Sequence, residues 1–164
     1  MRCADSAELS PSELRLAFAA FPSGVAAVAA LHDSVPVGLA ASSFTSVSLD
    51  PPLVSVCMAH TSTTWPVLRH ATSIGLSILA EGQHAACRAL AARTGDRFAD
   101  LSWQATGTGA VVIEGSPLCL ECTVHAEVSA GDHDIVLLAI HGLLHRSDVA
   151  PLVFHRSRFR RLTD

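Results

Sequence analysis

The sequence predicts a mainly β domain, closed or nearly closed into a barrel. Three observations predict it. Short apolar or β-branched runs recur over residues 25–31, 35–44, 53–59, 73–79, 118–128, 135–145 and 151–154. Helix signals are few and short. The length of 164 residues suits one domain with a sizeable core. Many short strands with few helices favour closure, because closing a sheet removes its exposed edges.

The elements follow in chain order. Residues 1–8 read as a polar, mobile start, and 9–164 as one domain. Ser10-Pro11-Ser12-Glu13 is a capping box, with Leu9 and Leu14 as its hydrophobic staple. Leu14, Ala17, Phe18 and Phe21 then recur at helical spacing and predict a packing helix that ends at Pro22-Ser23-Gly24. Strands over 25–31 and 35–44 flank the turn His32-Asp33-Ser34, so they predict a hairpin. After Asp50-Pro51-Pro52 comes the strand over 53–59. A short helix is predicted at 64–69, capped by Thr64. A helix over 81–92 ends before Gly95, and Asp96-Arg97-Phe98 lies in the loop beyond it. Gly131-Asp132-His133-Asp134 is a tight connection between two long strands. The chain ends on a strand at 151–154 and a basic tail with Arg156, Arg158, Arg160 and Arg161.

Composition removes several classes of function. Hydrophobic residues make up 49% and charged residues 16%, which disfavours disorder and hints at an extensive buried surface such as a dimer interface. The net charge of −4 without a basic block disfavours nucleic-acid binding. No stretch is long and apolar enough for a membrane-spanning helix, and no signal peptide is visible, so the chain reads as cytoplasmic. No G-x-G-x-x-G and no P-loop motif occurs.

Cys119 and Cys122 form a C-x-x-C, one part of five cysteines in all. Strand alternation places Cys122 with Leu118, Leu120 and Val124 on one face, and Cys119 with Glu121, Thr123 and His125 on the other. The pair therefore reads as structural, and no metal site is expected.

Residues 38–65 carry the chemistry. Gly38, Ala40, Ala41, Ser42 and Ser43 are small enough for a flat ligand to approach the backbone. The strand over 53–59 then opens into Thr61-Ser62-Thr63-Thr64, whose hydroxyls suit a phosphate. A phosphorylated planar cofactor satisfies both ends. The same residues also suit a Ser/Thr-rich strand pair that ends at an ordinary helix cap.

Gly38-Leu39-Ala40-Ala41-Ser42-Ser43-Phe44-Thr45-Ser46-Val47-Ser48-Leu49-Asp50-Pro51-Pro52-Leu53-Val54 resembles the signature of the short-chain flavin reductases, the reductase components of two-component flavin-dependent monooxygenases. Asp96-Arg97-Phe98, Gly131-Asp132-His133 and the run from Pro151 to Phe159 extend the resemblance over most of the chain. It implies a split β-barrel, a homodimer, bound FMN or FAD, and NADH or NADPH as reductant. It also implies positions. Pro36 and Ala40 would line the flavin ring, and Ser42 and Ser43 the ring edge or ribityl chain. Cys57, Met58 and Ala59 would follow the ribityl chain, and Thr63 and Thr64 would hold the phosphate. His133, Phe154, His155, Arg156 and Ser157 would contact the nicotinamide dinucleotide. His133 read alone is also compatible with a solvated turn. Two departures stand out: Phe154 lacks the hydroxyl of a Tyr, and Ser157 replaces a common Gly. The implied activity is hydride transfer from reduced nicotinamide dinucleotide to flavin, with reduced flavin passed to a separate monooxygenase. The alternatives are an oxidase that retains its flavin and a non-catalytic flavin-binding or sensory module.

Overall fold

In the computed structural model, which describes residues 9–163, the capping box is formed in full. Ser10 Oγ accepts from Glu13 N at 3.2 Å, and Glu13 Oε2 accepts from Ser10 N at 2.9 Å. The Ser10 hydroxyl, which also donates to Glu13 Oε2 at 2.6 Å, and then the Ser10 N–H hold the Glu13 carboxyl below its ordinary value. Helix α1 (Pro11–Phe18) follows, yet it has no buried residue. The expected packing role is thus not seen within this chain: Leu16, Phe18 and Phe21 stand more than two-thirds exposed. The expectation for residues 1–8 lies outside the described residues.

The strands are β1 (Ser23–Gly24), β2 (Ala26–His32), β3 (Val35–Ala41), β4 (Thr45–Leu49), β5 (Pro52–Ala59), β6 (Ile74–Ile78), β7 (Trp103–Ala105), β8 (Val111–Ile113), β9 (Leu118–Ala130), β10 (His133–His145), β11 (Val153–His155) and β12 (Arg158–Arg160). Helix α2 (Trp65–Leu68) sits between β5 and β6, and α3 (His84–Ala91) between β6 and β7. No described helix is long and apolar enough to cross a membrane.

Seven strands form one antiparallel sheet in the order β3-β2-β6-β9-β10-β5-β4. Its two edges, β3 and β4, are consecutive in the chain and separated only by Ser42, Ser43 and Phe44. Laid flat, edges six spacings apart would lie about 29 Å from each other. The four steps from Ala41 to Thr45 span at most about 14 Å. The sheet must therefore curl almost into a cylinder, with a gap between its edges. The fold is a split β-barrel. Its interior holds Val28, Val56, Leu76, Leu120, Val136 and Leu138, plugged by Trp65 and Leu68 of α2.

Strand β2 is buried on both sides. Ala26, Val28 and Ala30 face the barrel interior, while Ala27 and Ala29, with Val25 just before the strand, pack outward beneath Leu90 of α3, Phe98 and Val111. Its uninterrupted apolar run reflects this double burial. The cysteine pair behaves as the alternation predicts. Cys122 lies in the barrel core, its thiol pushed up to about 12 by burial and then by the Glu121 charge. Cys119 is buried elsewhere, its Sγ 3.8 Å from Ile113 O, and burial raises its thiol too. Both are free thiols.

Several boundaries differ from expectation. The predicted strand over 35–44 stops at Ala41, and residues 45–49 form a separate strand, β4, that returns along β5. Helix α3 starts at His84, not Glu81, because Gln83 is engaged elsewhere: its amide accepts from Ala80 N at 2.7 Å and donates to Glu114 O at 2.6 Å. The basic tail contains β12, paired with β11 across a turn at Arg156 and Ser157. Both turn residues have positive φ, 49° and 58°, a region costly for residues with a Cβ. Ser157→Gly is therefore expected to raise the melting temperature by about 1–2 °C, the αL relief exceeding the added unfolded-chain entropy. Differential scanning calorimetry reads this directly.

Candidate functional site

The strand ends identified in residues 38–65 meet in space. Ser43, just beyond β3, accepts through Oγ from Cys57 N of β5 at 2.8 Å. This bond sutures the sheet where the barrel is split. A cleft of about 690 Å³ opens there, within the range of small-molecule and cofactor sites. Ala40, Ala41, Ser42 and Ser43 form one wall, and Cys57, Met58 and Ala59 another. The four hydroxyl residues 61–64 line one end, and the C-terminal end of α3 with Arg93 and Arg97 also lines the cleft. His133, the first residue of β10, pairs with Ala59 and lines it as well.

Gly38 is needed behind this wall. A Cβ there would stand 2.7 Å from Ala29 Cβ and 2.8 Å from Phe98 Cζ. Phe98 belongs to the loop that carries Arg97. Half-buried Arg97 donates through Nη1 to Gly38 O at 2.7 Å and to Thr64 Oγ1 at 2.8 Å. One guanidinium thus ties β3 to the hydroxyl loop and places a permanent cation beside it. The expected helix cap by Thr64 is not formed, because that hydroxyl is turned to Arg97. Ser62 does the capping instead, its Oγ accepting from Trp65 N at 3.1 Å.

Two histidine–carboxylate pairs sit at the seam of β5 and β10. A carboxylate only accepts, so the ring N–H is the donor in each pair. His133 Nδ1 donates to Asp132 Oδ1 at 2.7 Å, and His60 Nε2 donates to Asp134 Oδ1 at 3.0 Å. The bond from His133, then the charges of His133 and His60, hold the Asp132 carboxyl below its ordinary value.

The cleft thus gathers Ala40, Ser42, Ser43, Cys57, Met58, Ala59, Thr63, Thr64 and His133. Pro36 is not among its lining residues. It sits near the start of β3, paired with Leu31 and four residues, roughly 13 Å, before Ala40. Phe154, His155, Arg156 and Ser157 are elsewhere too, on the β11–β12 hairpin. Phe159 anchors that hairpin to α3, its ring 4.7 Å from His84 and 5.6 Å from both Phe154 and the Arg88 guanidinium. Arg156 N bonds Ala19 O at 3.0 Å. The hairpin holds the beginning and middle of α3, whereas the cleft takes its C-terminal end. Sequence reasoning missed Arg93 and Arg97 as site residues. For Arg97 a signal existed in the Asp96-Arg97-Phe98 match; for Arg93 none did.

A split barrel with small-residue walls, a hydroxyl loop and two guanidinium groups defines a protein built for a flat, anionic ligand. Residues 18–163 match the family of the flavin reductase like domain, and the chain belongs to it. It is 34% identical over 152 residues to a flavin reductase of Pseudomonas putida, covering 92% of this chain and 89% of that one. It is 32% identical over 156 residues to the reductase subunit of a flavin-dependent monooxygenase of Mycobacterium tuberculosis, covering 94% and 83%. Among solved structures, the NADH:FAD oxidoreductase of Streptomyces globisporus, in complex with NAD and FAD fragments, superposes with a TM-score of 0.91 at 33% identity. That match covers 99% of this chain and 98% of the other.

Proposed function

We propose that this chain, acting as a single domain over residues 9–164, is an NADH-dependent flavin reductase that supplies reduced FMN or FAD to a partner monooxygenase. The observation that carries the reading is the cleft itself: a small-residue wall for a planar ring, continuous with a hydroxyl loop and arginines for a phosphate. The donor set fits the group. Oxygen donors from residues 61–64 and the Arg93 and Arg97 guanidinium groups suit a phosphate or pyrophosphate. Ala40, Ala41 and Ala59 leave room against the backbone for a tricyclic ring.

When bound, flavin and nicotinamide supply hydride transfer, and the protein contributes alignment and exclusion of water. In this reading Ser42 and Ser43 hold the polar edge of the ring, and Cys57, Met58 and Ala59 follow the ribityl chain. Thr63, Thr64 and Arg97 hold the phosphate. His133, oriented by Asp132, faces the dinucleotide. Phe154, His155, Arg156 and Ser157 would serve the reductant from the neighbouring hairpin, and Pro36 would stiffen β3. The protein works as a homodimer in the cytoplasm, which would cover the exposed Leu16, Phe18 and Phe21.

The test is loss of nicotinamide absorbance with purified protein, NADH and added FMN or FAD. Flavin-dependent, multiple-turnover oxidation is expected. Flavin binding without oxidation of NADH or NADPH would overturn the reductase reading and favour a storage or sensory module. Flavin that stays bound through purification and turnover would favour an oxidase.

A further inference from the structure

The hydroxyl loop over residues 61–64 is held at both ends by side chains from distant elements. At its far end Arg97 holds Thr64. At its near end the β5–β10 ladder finishes with His60 N donating to Asp132 O at 3.0 Å. On the same residue, His60 Nε2 donates to Asp134 Oδ1 at 3.0 Å. Beyond this point the chain leaves the sheet, and the next four residues line the cleft. The guanidinium clamp keeps its charge at every working pH, whereas an imidazole ordinarily changes charge between about pH 5 and 8.

We propose that His60 and Asp134 are positioning residues for the anion-binding end of the cleft: their bond pins the hydroxyl loop to β10, and its strength follows the charge on His60. The inference rests on the flavin reading. The groups facing His60 are Asp134 on β10, Asp132 in the preceding turn, and His133, which is bonded to Asp132. With both imidazoles neutral, this cluster carries two negative charges beside the cleft. With both protonated it carries none. Protonating His60 also turns its bond to the Asp134 carboxylate into one between two opposite charges, a stronger bond than a neutral imidazole makes. Both effects have the same sign. As pH falls, the loop is held more firmly and repels a phosphate less. The His60 side chain is 44% exposed and that of Asp134 24%, so solvent screens the effect to a few-fold.

The experiment is a fluorescence-quenching titration of the full-length protein with FAD between about pH 6 and 8. FAD is the probe because its pyrophosphate keeps its charge there, whereas a phosphomonoester gains a proton near about pH 6. Wild-type affinity is expected to be about three- to five-fold tighter at the lower pH. His60→Gln keeps a donor but no titrating charge, and should reduce that ratio to about two-fold or less. Asp134→Asn removes the carboxylate partner and one negative charge together, so it should raise affinity at high pH and keep only the charge part of the ratio, about two-fold or less. Riboflavin, which has no phosphate, should respond to neither pH nor variant. Thermal melts establish that each variant is folded, and either variant alone carries the test. A wild-type pH ratio retained in His60→Gln or Asp134→Asn overturns the proposal, as does an equal response of riboflavin. Failure of the wild type to bind FAD or FMN at any pH overturns the flavin reading, and this inference with it.

Discussion

Gly75→Ala is expected to lower the melting temperature by roughly 10 °C, corresponding to about 3 kcal/mol, without any change at the cleft. Gly75 is the second residue of β6, paired with Ala29 of β2 on one side and Glu121 of β9 on the other. Strand β8 crosses its open face. A Cβ at position 75 would stand 2.0 Å from Val111 O and 2.9 Å from Val111 N. Those are backbone atoms, so no rotamer change relieves the overlap. β6 cannot retreat, since it is paired on both sides. The hairpin of β7 and β8 must lift instead. That movement would pull Ile113 N from Ser77 Oγ, a buried bond of 3.0 Å, and open the outer core around Val111 and Ile113. Calorimetry on the purified variant measures the effect. A change under about 1 kcal/mol would mean that β8 does not lie on this face in solution.

Arg97→Ala is expected to weaken FAD binding by about 10- to 100-fold, the range of bonds to a charged group. The guanidinium joins Gly38 O to Thr64 Oγ1, so its removal frees the hydroxyl loop and removes a cation at once. Arg97→Lys should recover part of the affinity, because the charge returns without the planar fork. Fluorescence titration gives the affinity. Melting with and without FAD separates the causes: the variant should lose most of the ligand-induced rise in melting temperature. An unchanged rise would remove Arg97 from the site.

Much of this architecture is local and therefore readable in one dimension. The capping box at Ser10 and Glu13 needs four residues. The opposite faces of Cys119 and Cys122 need only strand periodicity. The β2–β3 hairpin is declared by its turn at Asp33 and Ser34, both with positive φ. The cleft walls were legible for a different reason: both lie in one continuous stretch, 38–65, that resembles a known family. What escaped depends on tertiary contact. Nothing local separates β3 from β4; the break at Ser42 exists because Ser43 bonds to Cys57, fourteen residues on. Thr64 has the chemistry of a cap, but Arg97 from a remote loop takes its hydroxyl. Arg93 reaches the cleft only because α3 packs over β2 and β3, which its own sequence does not reveal.

The exposed face of α1 has a consequence for how the protein assembles. Eight residues are too few for a helix to hold its shape in water by propensity alone. This one contributes nothing to either core, so its order rests on the Ser10 cap, on the bond from Arg156 N to Ala19 O, and on any cover over Leu16 and Phe18. If the proposed homodimer supplies that cover, the order becomes a matter of mass action. Dilution would then fray α1 while the barrel stays folded. In such a dimer, protein concentration would be a variable of local structure, though not of the sheet that carries the cleft.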